Sequence, residues 1–94
     1  MYGTVAKMQI KAENVEAVRK VMADQMAEAQ PAGYVRSYVL SENGSDTQWL
    51  FVVFEDRASY DANANDPAQH ERYTAFRALM EADPEWHDGT IEEG

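Results

Sequence analysis

The two histidines of this 94-residue chain are the side chains best suited to exchange a proton near neutral pH. His70 lies in "DPAQHERY", beside Glu71, Arg72 and Tyr73; His87 lies in "DPEWHDG", directly after Trp86. Either imidazole could serve as a general base, His70 first and His87 second. Tyr73, Tyr38 or Arg36 could then stabilise a developing oxyanion. Each residue also has a plainer reading. His70 suits a solvated helix turn near Asp66, and Tyr60 and Tyr73 suit a packed core. Arg36, which shares a strand face with Tyr34, Tyr38 and Leu40, suits an ion pair at a seam between chains, and that pairing is the favoured reading. In a regular strand Trp86 and His87 point to opposite faces, so only one of them can meet a given pocket. Packing is the favoured reading for Trp86.

Other chemistries find little footing. The chain has no Cys, which removes disulfides, thiolate metal sites and a thiol nucleophile. The histidines lack the spacing of a metal motif, so no metal and no cofactor is expected. Phosphate-binding glycine loops and a serine elbow are absent. With 17 acidic against eight basic residues and a net charge of −9, no basic patch exists for nucleic acid or an anionic membrane. No apolar run approaches the ~20 residues of a membrane span, and "MYGTVAKMQIK" does not read as a signal peptide, so a cytoplasmic location is expected.

The elements that must position these residues can be read from periodicity. Tyr2, Thr4, Ala6, Met8 and Ile10 alternate along a first strand. Asn14 can cap a helix whose stripe is Val15, Val18, Met22, Met26 and Ala29, ended by Pro31 and Gly33. Residues 33–42 and 48–55 form a hairpin around "SENGSD". Asp56 caps a short helix to about Ala64. "NDPAQ" restarts it, with Asp66 as cap, Pro67 at the first position and Gln69 completing a capping box; Tyr73, Phe76, Leu79 and Met80 are its apolar stripe. Asp83-Pro84 stops that helix, and residues 86–92 form the last strand.

The order β-α-β-β-α(α)-β specifies a single α+β, ferredoxin-like domain over residues 1–94, a four-stranded antiparallel sheet with helices on one face. Trp49 to Phe54 is apolar at every position, so that strand needs cover on both faces. A second copy of the chain is the expected cover, because a domain this small buries only about 60–65% of its unfolded surface by itself.

On its element order, on "AGYVRSYVL", on "WLFVVFEDRASYDANANDPAQHERY" and on "EADPEWHDG", the chain resembles the antibiotic biosynthesis monooxygenase-like family of dimeric α/β-barrel proteins. The resemblance implies a homodimer with a pocket between sheet and helices in each subunit. It also implies an activity among cofactor-free oxidation of aromatic polyketides or quinols by O2, heme degradation and small-metabolite isomerisation. Heme degradation fits least: Ala6 stands where that branch has Asn, Asn63 where it has Trp, and His70 or Tyr73 where it has His. The expected function is a cofactor-independent monooxygenase of a small quinol- or anthrone-like aromatic. The alternatives are a non-enzymatic dimeric binding protein and an isomerase. His70, Tyr73 and Phe76 are expected near the pocket, with Trp86 or His87 at its floor, and Arg36, Tyr38 and Asn63 among the substrate contacts.

Overall fold

The computed structural model describes residues 1–28 and 30–94; Ala29, expected at the end of the first helix stripe, lies outside the described residues. Strand β1 (Tyr2–Gln9) leads through a single 3-10 turn (Ala12–Asn14) into helix α1 (Val15–Glu28). The hairpin β2 (Tyr34–Ser41) and β3 (Thr47–Phe54) follows, then α2 (Arg57–Ala64), α3 (Pro67–Arg77) and β4 (Glu85–Thr90). The strands are ordered β2-β3-β1-β4, every neighbouring pair antiparallel, which is the ferredoxin-like arrangement expected from the element order.

The register fixes which side chains face the helices. Ala6 pairs with Leu50 on one side and Trp86 on the other; Met8 pairs with Gln48 and Thr4 with Val52. Side chains alternate across a strand, so these residues share one face. That face holds the core: Ala6, Met8 and Ile10 of the first strand segment and Leu50 of β3 pack with Val18, Phe76 and Met80 from the helix side. Phe54 is 1% exposed and meets Tyr34 and Tyr60 edge-on at ring separations of 6.0 and 5.6 Å.

Local chemistry sets the helix starts. Asp56 accepts a hydrogen bond from the Ser59 amide (2.8 Å), and Asp66 accepts one from the Ala68 amide (2.9 Å) with Pro67 in the first turn. Two expected caps differ. Asn14 closes the 3-10 turn, and its side-chain amide donates to the Leu79 carbonyl (3.4 Å), tying α1 to the end of α3. Gln69 closes no capping box but accepts from Arg72 (3.1 Å). Helix α3 also stops at Arg77, short of Asp83-Pro84. The Arg77 guanidinium then holds Asp83 (2.7 Å) and the Met80 carbonyl (3.1 Å), and the Glu81 amide donates to the Gln9 carbonyl (3.0 Å).

One irregularity changes a face. The β2–β3 register shifts between Tyr34, which pairs with Phe54, and Arg36, which pairs with Val53. An extra residue in one strand reverses the parity beyond it. Tyr34 therefore faces the helices, while Arg36, Tyr38 and Leu40 face the other way. The expectation that all four share a face fails for Tyr34. Just before this bulge, Gly33 adopts φ +79°, and a Cβ there would collide with the Ser59 side chain. Only glycine takes up that geometry without strain.

Candidate functional site

Between α1, α3 and the sheet lies a cavity of about 320 Å³. Leu50, Val52 and Phe54 of β3 form its floor, and Met22 and Met26 of α1 form one wall. Helix α3 supplies the opposite wall with Gln69, Arg72, Tyr73 and Phe76, all on one face because they recur at three- and four-residue spacing. Asn63 enters from the last turn of α2, and Trp86 from β4. Tyr73 and Trp86 pack at 6.1 Å with their planes tilted by 57°. The cavity is mainly apolar and aromatic, with a few polar groups converging on it, the usual composition of a small-molecule site.

Those polar groups are individually positioned. The Tyr34 hydroxyl and the Ser37 hydroxyl share a hydrogen bond of 2.8 Å. Gln25 of α1 donates to the Arg72 carbonyl (3.1 Å), and Arg72 Nη1 donates to Gln69 Oε1 (3.1 Å). Arg72 is thus held at both its backbone and its head group. Among the described residues no carboxylate lies within 4.0 Å of its guanidinium, whereas Arg19, Lys20, Arg57 and Arg77 each pair with one. Among the described residues, no Asp, Glu or His lines the cavity.

The sequence-derived candidates divide between two places. Asn63, Tyr73, Phe76 and Trp86 meet at the cavity. His70, Arg36, Tyr38 and His87 do not line it. His70 is exposed on α3, turned away by the one-residue step that follows Gln69. His87 pairs with Val5 on the outer sheet face, and its Nε2 lies 3.8 Å from a Glu85 carboxylate oxygen. Arg36 and Tyr38 occupy that outer face too. There Arg36 Nη1 donates to the Tyr38 hydroxyl (3.3 Å), and this bond, with a smaller contribution from Glu93, raises the guanidinium pKa above its ordinary value. An imidazole base inside the cavity, as the sequence suggests, is therefore not what the fold provides.

Gln25 and Ser37 are not among the residues the sequence marks, and Tyr34, Gln69 and Arg72 stand out there only as a strand-face neighbour, a capping residue and a flank of His70. The α3 spacing that marks Tyr73 and Phe76 also marks Gln69 and Arg72, so that signal was present. Tyr60 lies beyond the cavity. Its hydroxyl donates to Asp88 (2.8 Å), and burial, reinforced by Asp88, pushes its pKa up to about 12. Such a phenol stays protonated and serves structure.

The outer face carries Trp49, Phe51 and Val53 from β3 and Tyr38 and Leu40 from β2. Tyr38, Leu40 and Phe51 are 57%, 52% and 37% exposed, and the Lys7 ammonium lies 5.8 Å from the Trp49 ring. No helix of the described residues is long and apolar enough to cross a membrane.

Comparison with known proteins adds a family. The sequence model of antibiotic biosynthesis monooxygenases matches residues 1–82. No curated protein matches the chain. Among solved structures, an Asn-to-Ala variant of SnoaB, a cofactor-independent oxygenase from Streptomyces nogalater, superposes with TM-score 0.80 at 23% identity, covering 99% of this chain and 94% of that one. A conserved protein from Methanosarcina mazei gives 0.79 at 17% identity, with 97% and 92% covered. A structure described as antibiotic biosynthesis monooxygenase gives 0.73 at 15% identity, with 99% and 100% covered.

Proposed function

The chain belongs to the antibiotic biosynthesis monooxygenase family, and from that premise we propose that it oxidises a small electron-rich aromatic, of quinol or anthrone type, with O2 and without a bound cofactor. The observation that carries the reading is the 320 Å³ cavity with aromatic walls and a few fixed polar groups. The solved SnoaB fold, that of a cofactor-independent oxygenase, supports it.

Apart from a proton acceptor, the chemistry asks for little that this cavity lacks. An anthrone methylene loses a proton to water or buffer before it enters the cavity and becomes a carbanion whose charge is spread onto a ring oxygen. The carbanion passes one electron to O2, and the two radicals combine into a C–O bond. The resulting peroxide anion takes up a proton. Loss of water then breaks the O–O bond and the remaining C–H bond, leaving a carbonyl. One oxygen atom enters the product and one leaves as water, and all the electrons come from the substrate. The protein contributes orientation, exclusion of water and hydrogen bonds to the developing oxyanion. Asn63, the Tyr34–Ser37 hydroxyl pair, Tyr73 and Arg72 are the donors on hand, while Phe54, Phe76 and Trp86 would clasp the rings.

The absence of an imidazole or carboxylate among the lining residues favours a second reading, a binding module that takes up such compounds without turning them over. Oxygen uptake by metal-stripped protein separates the two. A panel of quinols and anthrones should raise uptake above the buffer rate, with carbonyl product formed; ligand binding with uptake at the buffer rate for every compound would leave the binding module.

The assembly we propose is a homodimer closed by the outer sheet face, on which Leu40, Phe51 and Trp49 form a partly exposed apolar centre. Light scattering should give twice the 10.6 kDa chain mass; a well-folded monomer would refute it.

A further inference from the structure

We propose that this cavity takes its ligand as a preformed anion, an acidic phenol or enol that ionises in water before it enters, with Arg72 as the counter-charge. The inference rests on the cavity being the ligand site and names the class of compound it selects.

Three observations lead there. A ligand that must be deprotonated inside the protein needs an acceptor for the proton, and among the described residues no Asp, Glu or His lines this space. Among the described residues, the one cation that lines it is Arg72. And that cation has no carboxylate within 4.0 Å among the described residues, although the chain carries 17 acidic residues to eight basic ones. A guanidinium has five N–H donors, and Gln69 Oε1 takes one of them. Gln25 on the Arg72 carbonyl and Gln69 on its head group hold the residue in place before any ligand arrives. The remaining donors suit a planar, delocalised oxyanion better than a neutral hydroxyl, because a hydrogen bond to a charged group is the stronger one.

The chain as a whole works against anions. Its net charge of −9 repels them at long range. Selection for the ionised form must therefore come from the local contact with Arg72 and not from the general field. Compounds with a hydroxyl conjugated to a carbonyl, such as hydroxyquinones and anthrones with an acidic enol, meet the requirement. Simple phenols, neutral at physiological pH, do not.

The test uses two flat probes of nearly the same shape, 2-hydroxy-1,4-naphthoquinone, which ionises, and 2-methoxy-1,4-naphthoquinone, which cannot. Binding to the full chain is measured by calorimetry across a pH series spanning the ionisation of the hydroxy probe. Above that ionisation the hydroxy probe should bind about 10- to 100-fold more tightly than the methoxy probe, the range of one hydrogen bond to a charged group. Below it the advantage should vanish. Arg72→Gln should abolish the preference, and Arg72→Lys should keep part of it. Should the Gln variant fail to fold, the wild-type pH series and the Lys variant decide. Equal binding of both probes, tighter binding of the hydroxy probe on acidification, no binding of either, or a preference that survives in Arg72→Gln would overturn the proposal. Oxygen uptake is read separately. Uptake that persists with the charge preference absent removes this inference and leaves the oxygenase reading. A clear preference without uptake for any compound does the reverse.

Discussion

The two faces of the sheet are built from alternating residues of the same strands, yet they have opposite characters. On the helix side, Leu50, Val52 and Phe54 lie under a cavity where Arg72 is the only charged lining residue among those described. On the outer side, Trp49, Phe51 and Val53 stand beside Arg36, Tyr38, Lys7 and His87. The residues that look most reactive in isolation, the histidine of β4 and the arginine of β2, fall on the outer face. The residues that could hold a substrate are mostly amides, hydroxyls and rings. Position in the pleat, more than residue type, decides which side chains can act together.

The comparison can be broken first at the core. Phe54→Ala removes a ring that is 1% exposed and contacts two tyrosines, so urea unfolding should show a loss of about 3–5 kcal/mol. A loss below about 1 kcal/mol would mean that the helix-side packing is looser than described. Next comes the outer face. Phe51→Glu places a charge at its apolar centre and should convert a dimer into a monomer by light scattering, leaving the circular dichroism of the fold intact. Dimers that persist would place the contact elsewhere.

The histidines offer a sharper contrast. A general base contributes about 10²–10⁴-fold to a rate. Because His70 and His87 stand outside the cavity, His70→Ala and His87→Ala should leave oxygen uptake unchanged, while Trp86→Ala weakens substrate binding. A loss of that size in either histidine variant would require the reacting groups to lie outside the cavity described. The smallest expected effect concerns Tyr60. Its pKa is raised from 10.0 to about 12, so the neutral phenol is favoured in the folded state. Its contribution is fully present below pH 10 and is lost as pH rises through about 12. Tyr60→Phe should cost no more than about 1 kcal/mol at neutral pH, since Asp88 is exposed, and should remove this component of the alkaline decline. An unchanged alkaline profile would show that Tyr60 does not titrate late.

Much of the fold was legible because its signals are local. Asp56 and Asp66-Pro67 mark helix starts by their own hydrogen-bonding chemistry, and the alternation from Tyr2 to Ile10 marks a half-buried strand. The site was legible only in part, because it depends on relations between segments. Which of Trp86 and His87 faces the helices follows from the pairing of Ala6 with Trp86, and that register is a tertiary fact. The bulge between Tyr34 and Arg36 reverses parity within a stretch that reads as regular alternation. Arg72 and Gln69 share the spacing of Tyr73 and Phe76, but a charged or amide side chain on a helix reads as solvent-facing until a wall is found opposite it.

The chain has two tryptophans, one on each side of the sheet, and this permits a direct test of where the ligand goes. The two indole N–H signals in a ¹⁵N-correlated NMR spectrum can be assigned with Trp49→Phe and Trp86→Phe. On titration with 2-hydroxy-1,4-naphthoquinone, the Trp86 indole, which lines the cavity, should shift progressively to saturation. The Trp49 indole, which donates to Glu42 on the outer side (3.1 Å), should stay in place. A shift of the Trp49 signal with Trp86 unmoved would put the ligand on the outer face and contradict the account.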